Sequence, residues 1–176
     1  MEIKIVNQKV LQTLAYDYKY QKGLTEELDK LEGNFDHAII HQIVLWKVNR
    51  YPEFTDETLA LLNKIDIQDS LLNEQLTKEV LLKMLSCKGI GLPMASTILR
   101  FKNPNIYQII DQRVYRVIFG KKLVLPTQSE KLVELYFSYL EELRKTCESY
   151  QIVFNKSDRI LYELDKVINA DVKIDY

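Results

Sequence analysis

Two glycines flanking one isoleucine, Gly89-Ile90-Gly91, and an aspartate 20 residues beyond the second glycine, Asp111, are the residues of this chain best placed to do chemistry. Glycine admits positive φ and close backbone approach, so the trio suits a turn too tight for side chains. Pro93 suits the first turn of a following helix, where its missing N–H has no partner in any case. Such a turn presents backbone N–H groups at a helix N-terminus, which is a ready anion site. Asp111 precedes a helical pattern marked by Val114, Val117 and Ile118. An aspartate there is a routine N-cap. It is also a carboxylate that the positive end of a helix should keep ionised. His37 and His41, at i and i+4, form a possible metal pair, but spacing shows no third ligand. We therefore expect no metal and no cofactor.

Charge adds a second signal. The 176 residues carry a net charge of −1, which by itself argues against a polyanionic partner. Residues 78–122, however, hold nine basic and two acidic groups, a net of +7, which leaves −8 for the remainder. Asymmetry of this size can steer a polyanion to one face.

Here the residues resemble a known family. Lys88-Gly89-Ile90-Gly91-Leu92-Pro93-Met94-Ala95 is similar to the helix-hairpin-helix element that grips a DNA phosphate. Asp111-Gln112-Arg113-Val114-Tyr115-Arg116-Val117 resembles the Asp-x-x-Val-x-Arg-Val segment of the helix-hairpin-helix (HhH-GPD) base-excision DNA glycosylases. That superfamily includes endonuclease III, the adenine glycosylases and 3-methyladenine DNA glycosylase II. The interval from Gly91 to Asp111 is the family's, and the resemblance covers about 40 of the 176 residues. It implies an all-α, two-lobed fold with the active site in a cleft between the lobes and the hairpin at about 78–101. Residues about 35–122 would form the central lobe of a single domain spanning 1–176. Residues 1–34 and 123–176 would pack together as the second lobe.

The same resemblance implies a chemistry. Excising a base breaks the N-glycosidic bond and makes the sugar cation-like. A carboxylate near C1′ stabilises that charge and can orient or deprotonate the attacking water. Asp111 takes this role by resemblance. Lys88, Gly89, Gly91, Arg113 and Arg116 are the phosphate-contact candidates, which position a duplex without reading its sequence. The bifunctional members carry a lysine two residues after the second glycine, which forms a Schiff base with C1′. Here that residue is Pro93, which has no primary amine, so a monofunctional glycosylase is expected. Arg113 replaces the histidine or asparagine common in better-known members; it could bind a phosphate or pair with Asp111 and blunt it. The flipped base needs an aromatic or apolar pocket, for which Trp46, Tyr107 and the Tyr16, Tyr18 and Tyr20 cluster are candidates by type. The rival expectation is a helix-hairpin-helix DNA-binding module without catalysis, in which Asp111 is only a cap. A third is an interaction protein that keeps the fold and has lost nucleic acid. An open cleft at Asp111 with a basic rim favours the glycosylase; Arg113 closed onto Asp111 favours the binding module.

The elements that must position these residues read as helices throughout. The spacing predicts helices at 6–20, with Val10, Leu11, Leu14 and Tyr18 on one stripe, and at 25–31, capped by Thr25. A helix at 35–50 is apolar over so much of its circumference that it should be central. Thr55 caps the next, and Thr77 the first helix of the hairpin. A capping box, Thr127 with Glu130, opens a long helix to about Tyr150 whose stripe is Leu132, Tyr136, Tyr139, Leu140, Leu143 and Cys147. A last helix at about 157–170 points Ile160, Leu161, Leu164 and Ile168 inward. Alternation at 2–5 and 171–174 hints at short extended ends. No apolar run approaches the roughly 18 residues of a membrane span, and Met1-Glu2-Ile3-Lys4 lacks the shape of a signal peptide. Cys87 and Cys147 make no disulfide framework, nor the four-cysteine iron–sulfur cluster some of these glycosylases carry. We expect a reduced, cytoplasmic, monomeric protein whose partner is double-stranded DNA and not a membrane.

Overall fold

The computed structural model describes residues 22–31, 34–48 and 52–173. Every regular element among them is helical. The predicted helix at 6–20, the tyrosine cluster at 16–20, the extended segment at 2–5 and Ile174 lie outside the described residues. Residues 171–173, the rest of the second extended segment, form a turn and a bend. The chain divides into two compact units between residues 51 and 52, a different division from the lobes that the resemblance implies.

The first unit holds α1 (Lys22–Leu28) and α2 (His37–Lys47). Gly23 lies inside α1, and Thr25 lies mid-helix instead of capping it. Its hydroxyl accepts a hydrogen bond from Trp46 Nε1 at 2.9 Å. Asp36 caps α2 through a 2.8 Å bond from the Ile39 N–H. The apolar circumference of α2 predicted a central, buried helix. The structure corrects this: no α2 residue is buried, and Val44 is 53% exposed. Apolar composition alone supplies no partner face, and Leu24 is the only buried residue among those described in this unit.

The second unit contains α3 (Asp56–Leu62), α4 (Glu74–Ser86), α5 (Leu92–Lys102), α6 (Gln112–Phe119), α7 (Ser129–Tyr150), a 3-10 turn at Phe154–Lys156, and α8 (Ser157–Ile168). Thr55 caps α3 as its sequence suggests, accepting from the Thr58 N–H at 3.1 Å. Two other caps differ from expectation. The first hairpin helix starts a turn early, at Asn73, whose side chain accepts from the Leu76 N–H at 3.0 Å. Thr77 is thereby carried into the core. In α7 the cap position falls on Gln128, with no side-chain hydrogen bond. Glu130 is then the second helical residue, one short of the position a capping box needs.

One core joins these helices. Leu81 and Met84 of α4, Ala95 and Leu99 of α5, Val114 of α6 and Tyr136, Leu140 and Leu143 of α7 are all fully buried within it. Each large side chain so buried contributes about 1.5–3 kcal/mol relative to exposure. α7 packs on α4 and α6, and α6 runs along α8. Among the described residues no helix is long and apolar enough to cross a membrane.

Candidate functional site

The helix, tight turn and helix around Gly89 form as the spacing predicts. Cys87 ends α4, Gly89 adopts φ 86°, and Gly91 caps α5 with no side-chain hydrogen bond. A helix N-terminus leaves its first N–H groups without intrahelical partners. Ile90, between the glycines, is buried and anchors the turn in the core. Lys88 lies exposed beside it, 3.0 Å from the Glu53 carboxylate; a pair so open to solvent is worth little and can be exchanged for another anion.

The chain from α5 to Asp111 is held by side chains rather than by a ladder. The Ile110 N–H donates to Ser96 Oγ at 3.2 Å. Two buried tyrosines of α7 donate to the carbonyls before it, Tyr136 to Gln108 at 3.0 Å and Tyr139 to Ile109 at 2.6 Å. Buried backbone polar groups must find partners, and here those partners fix where Asp111 emerges. Tyr107 belongs to this support. It is 2% exposed, and its hydroxyl is 2.7 Å from that of Thr77. The structure therefore places Tyr107 in the core of the second unit, where it does not line the Asp111 cleft, and Trp46 against Thr25 in the first.

Asp111 is the N-cap of α6, its Oδ1 accepting from the Val114 N–H at 2.8 Å. It also lines a cleft of about 410 Å³ with Ile109, Asp158, Arg159, Tyr162 and Glu163. Burial pushes its pKa above the ordinary 3.8, outweighing the bonds from the Val114 and Arg113 N–H groups that the helix end supplies, and the charges of Asp158 and Asp165 add to the rise. A carboxylate raised in this way is a better proton acceptor near neutral pH.

Four of the cleft residues come from α8, whose inward face the sequence pattern misassigned. Ile160, Leu164 and Ile168 are exposed, and only Leu161 of the expected stripe is buried. The buried face is Ser157, Asp158, Leu161 and Asp165. Asp158 Oδ1 accepts from the Arg159 N–H at 2.7 Å. Its Oδ2 lies 3.5 Å from Arg100 Nε without a hydrogen bond. Asp165, with no exposed side-chain surface, receives Arg113 Nη1 at 2.9 Å and Arg116 Nη2 at 2.7 Å. Burial pushes Asp165 up, but the bonds from Arg116, Asn169 and Arg113 prevail and hold it below its ordinary value. Arg113 therefore faces Asp165 and not Asp111. The one sign in the sequence was the pair of aspartates seven residues apart, two helical turns on one face.

The rim of the cleft is acidic, not basic: Asp111, Asp158 and Glu163 against Arg159. Such a lining disfavours a phosphate and favours developing positive charge. Tyr162 supplies an aromatic wall, with the Arg113 guanidinium 5.3 Å from its ring centroid. His37 and His41 lie exposed on α2, and among the described residues no three potential metal ligands gather. Compared with protein-family models, with curated proteins and with solved structures, the chain gives no match.

Proposed function

We propose that the protein is a DNA glycosylase that hydrolyses the N-glycosidic bond of a damaged or modified base, with Asp111 as the catalytic carboxylate. The observation that carries this reading is Asp111 itself: a half-buried carboxylate with a raised pKa on the wall of an open, aromatic-sided cleft, 20 residues after a glycine turn that ends in a helix N-terminus. The turn would take a phosphate. The cleft would take the extruded base, with Tyr162 as a stacking face. The carboxylates would stabilise a cation-like sugar while Asp111 orients or deprotonates water. Arg113, bound to Asp165, leaves Asp111 free of an arginine clamp. Pro93 at the position of the lyase lysine makes the enzyme monofunctional, leaving an abasic site. The reading places the chain in a helix-hairpin-helix glycosylase fold with double-stranded DNA as partner.

The rival is a hairpin DNA-binding module in which Asp111 only caps α6; the bond from the Val114 N–H to Asp111 is the observation that favours it. One experiment separates the two. Duplexes bearing a panel of damaged and modified bases are incubated with wild type and with Asp111→Asn, then treated with alkali. Asparagine keeps the cap. We expect strand breaks with wild type and a loss of about 10²–10⁴ in rate with the variant. Salt-sensitive binding without breaks on any duplex would leave the binding module, and a borohydride-trapped adduct would overturn monofunctionality.

A further inference from the structure

Among the described residues that line the Asp111 cleft, Arg159 is the one cation, and the chemistry above gives it no task. It is exposed, and among the described residues its guanidinium makes no ion pair and no hydrogen bond. The nearby carboxylates are held by other groups. Glu163 lies at i+4, where a pair with Arg159 would form readily, but its carboxylate goes to Lys166 at 2.9 Å. Asp158 accepts from the Arg159 N–H through one oxygen, and the other lies beside Arg100. Asp111 receives the Val114 N–H.

One explanation confined to the fold is that Arg159 offsets the acidic cleft from a distance. Its place in the helix speaks against this. Arg159 is the third residue of α8, at the helix end where a cation is disfavoured. It works against the helix dipole and closes no pair. Arg159, Tyr162 and Glu163 are all exposed cleft residues at i, i+3 and i+4, so they share one face of α8. That face offers a fork of donors, a ring and an acceptor.

We infer that Arg159 is the specificity-determining residue of the cleft, and that it grips the edge of an extruded 6-oxopurine whose N7 carries no proton, such as hypoxanthine, the product of adenine deamination. The inference rests on the base-excision reading. A phosphate at Arg159 would bring its charge among Asp111, Asp158 and Glu163, so a neutral acceptor suits this arginine better. A guanidinium fork is filled by two adjacent acceptors. The O6 and N7 atoms of a guanine-type edge are such a pair, whereas adenine sets an amino donor beside N7. Hypoxanthine has the guanine-type edge. In 8-oxoguanine N7 carries a hydrogen, which opposes the guanidinium. Beyond O6 the same edge of hypoxanthine presents N1–H, a donor for the carboxylate one turn along the helix. The Glu163 pair with Lys166 is exposed and exchangeable.

Recognition is separated from chemistry by measuring duplex affinity in the Asp111→Asn background, with Arg159 kept or changed to lysine. Lysine keeps the charge and loses the fork. The duplexes carry, at one position opposite cytosine, hypoxanthine, 7-deazahypoxanthine (a C–H in place of N7) or 8-oxoguanine. With Arg159 the hypoxanthine duplex should bind about 5- to 150-fold more tightly than the other two, the worth of one bidentate contact to a base. With lysine the three should bind alike. Excision is then followed for wild type and Arg159→Lys. Hypoxanthine should be the better substrate of wild type, and lysine should slow its removal by a similar factor. The melting temperature should not move, since Arg159 is exposed and holds no partner among the described residues. Equal affinity for the three duplexes with Arg159 in place, or a preference that survives the lysine, would overturn the inference. Excision of some other base by wild type would then still uphold the base-excision reading. No preference and no excision on any duplex would remove both.

Discussion

The two ends of α6 are built from the same pair of helices and carry opposite charge. At the N-terminal end, Asp111 faces Asp158, Tyr162 and Glu163 of α8; at the C-terminal end, Arg116 and Lys121 face Asn169 and the residues after α8. Between them sits Asp165, buried and bound by Arg113 and Arg116. The charge at each end is of the sign the helix dipole favours, negative at the N-terminus and positive at the C-terminus; burial, with smaller contributions from Asp158 and Asp165, nonetheless raises the pKa of Asp111. The structure thus tolerates an unfavourable cluster of carboxylates at one end while it neutralises the charge in the middle. Natural folds accept such local costs where the site does chemistry.

Removing the divider is the most severe way to break this comparison. Asp165→Ala leaves two arginines facing a buried void, and losing one partner of a buried ion pair costs about 3–5 kcal/mol. Chemical denaturation should show that loss, along with a weakened hold of α8 on α6. Because the Asp165 carboxyl is held below its ordinary value, its contribution is complete above pH 3.8 and fades as pH falls through the folded value.

A smaller perturbation acts on the Asp111 end alone. Tyr139→Phe strands the Ile109 carbonyl, an unsatisfied buried acceptor worth about 1–3 kcal/mol. It should lower excision more than it lowers duplex affinity, since the bond it removes positions the chain just before Asp111. Equal losses in both would deny the tyrosine a positioning role. At the other end, Gly120 sits in the left-handed region at φ 64° with open space where a Cβ would go. Gly120→Ala should therefore cost only the conformational penalty, about 1–2 kcal/mol, measured by chemical denaturation, and should leave excision intact.

The finest contrast is a pH slope. A raised carboxyl pKa means that the folded state binds more protons than the unfolded chain. Stability therefore falls as pH rises from 3.8 through the folded value of Asp111. Asp111→Asn should remove that fall. Its melting temperature should match or exceed that of wild type at neutral pH, and the difference should close below pH 3.8. A variant less stable than wild type at neutral pH would show that burial does not strain this carboxyl.

Local chemistry alone determined several parts of this protein. Gly89 dictates the tight turn because it takes φ 86°, and Pro93 suits the helix start because its missing N–H has no partner there, whereas Gly91, at φ −99° with room for a Cβ, is not required by its backbone. Asp111 caps α6 and Gly120 ends it because each satisfies groups within one turn of itself. The stripe of α7 is legible because its residues are apolar or aromatic at helical spacing. Thr77 and α8 were not legible for the opposite reason. The hydroxyl of Thr77 is buried because Tyr107 meets it 30 residues away. Asp158 and Asp165 face inward because arginines on α5 and α6, 49 to 58 residues back in the chain, make burial of charge tolerable. A hydrophobic pattern assigns such a helix face to solvent, since an unpaired aspartate belongs there. Only tertiary structure supplies the pair, and with it the carboxylates around Asp111.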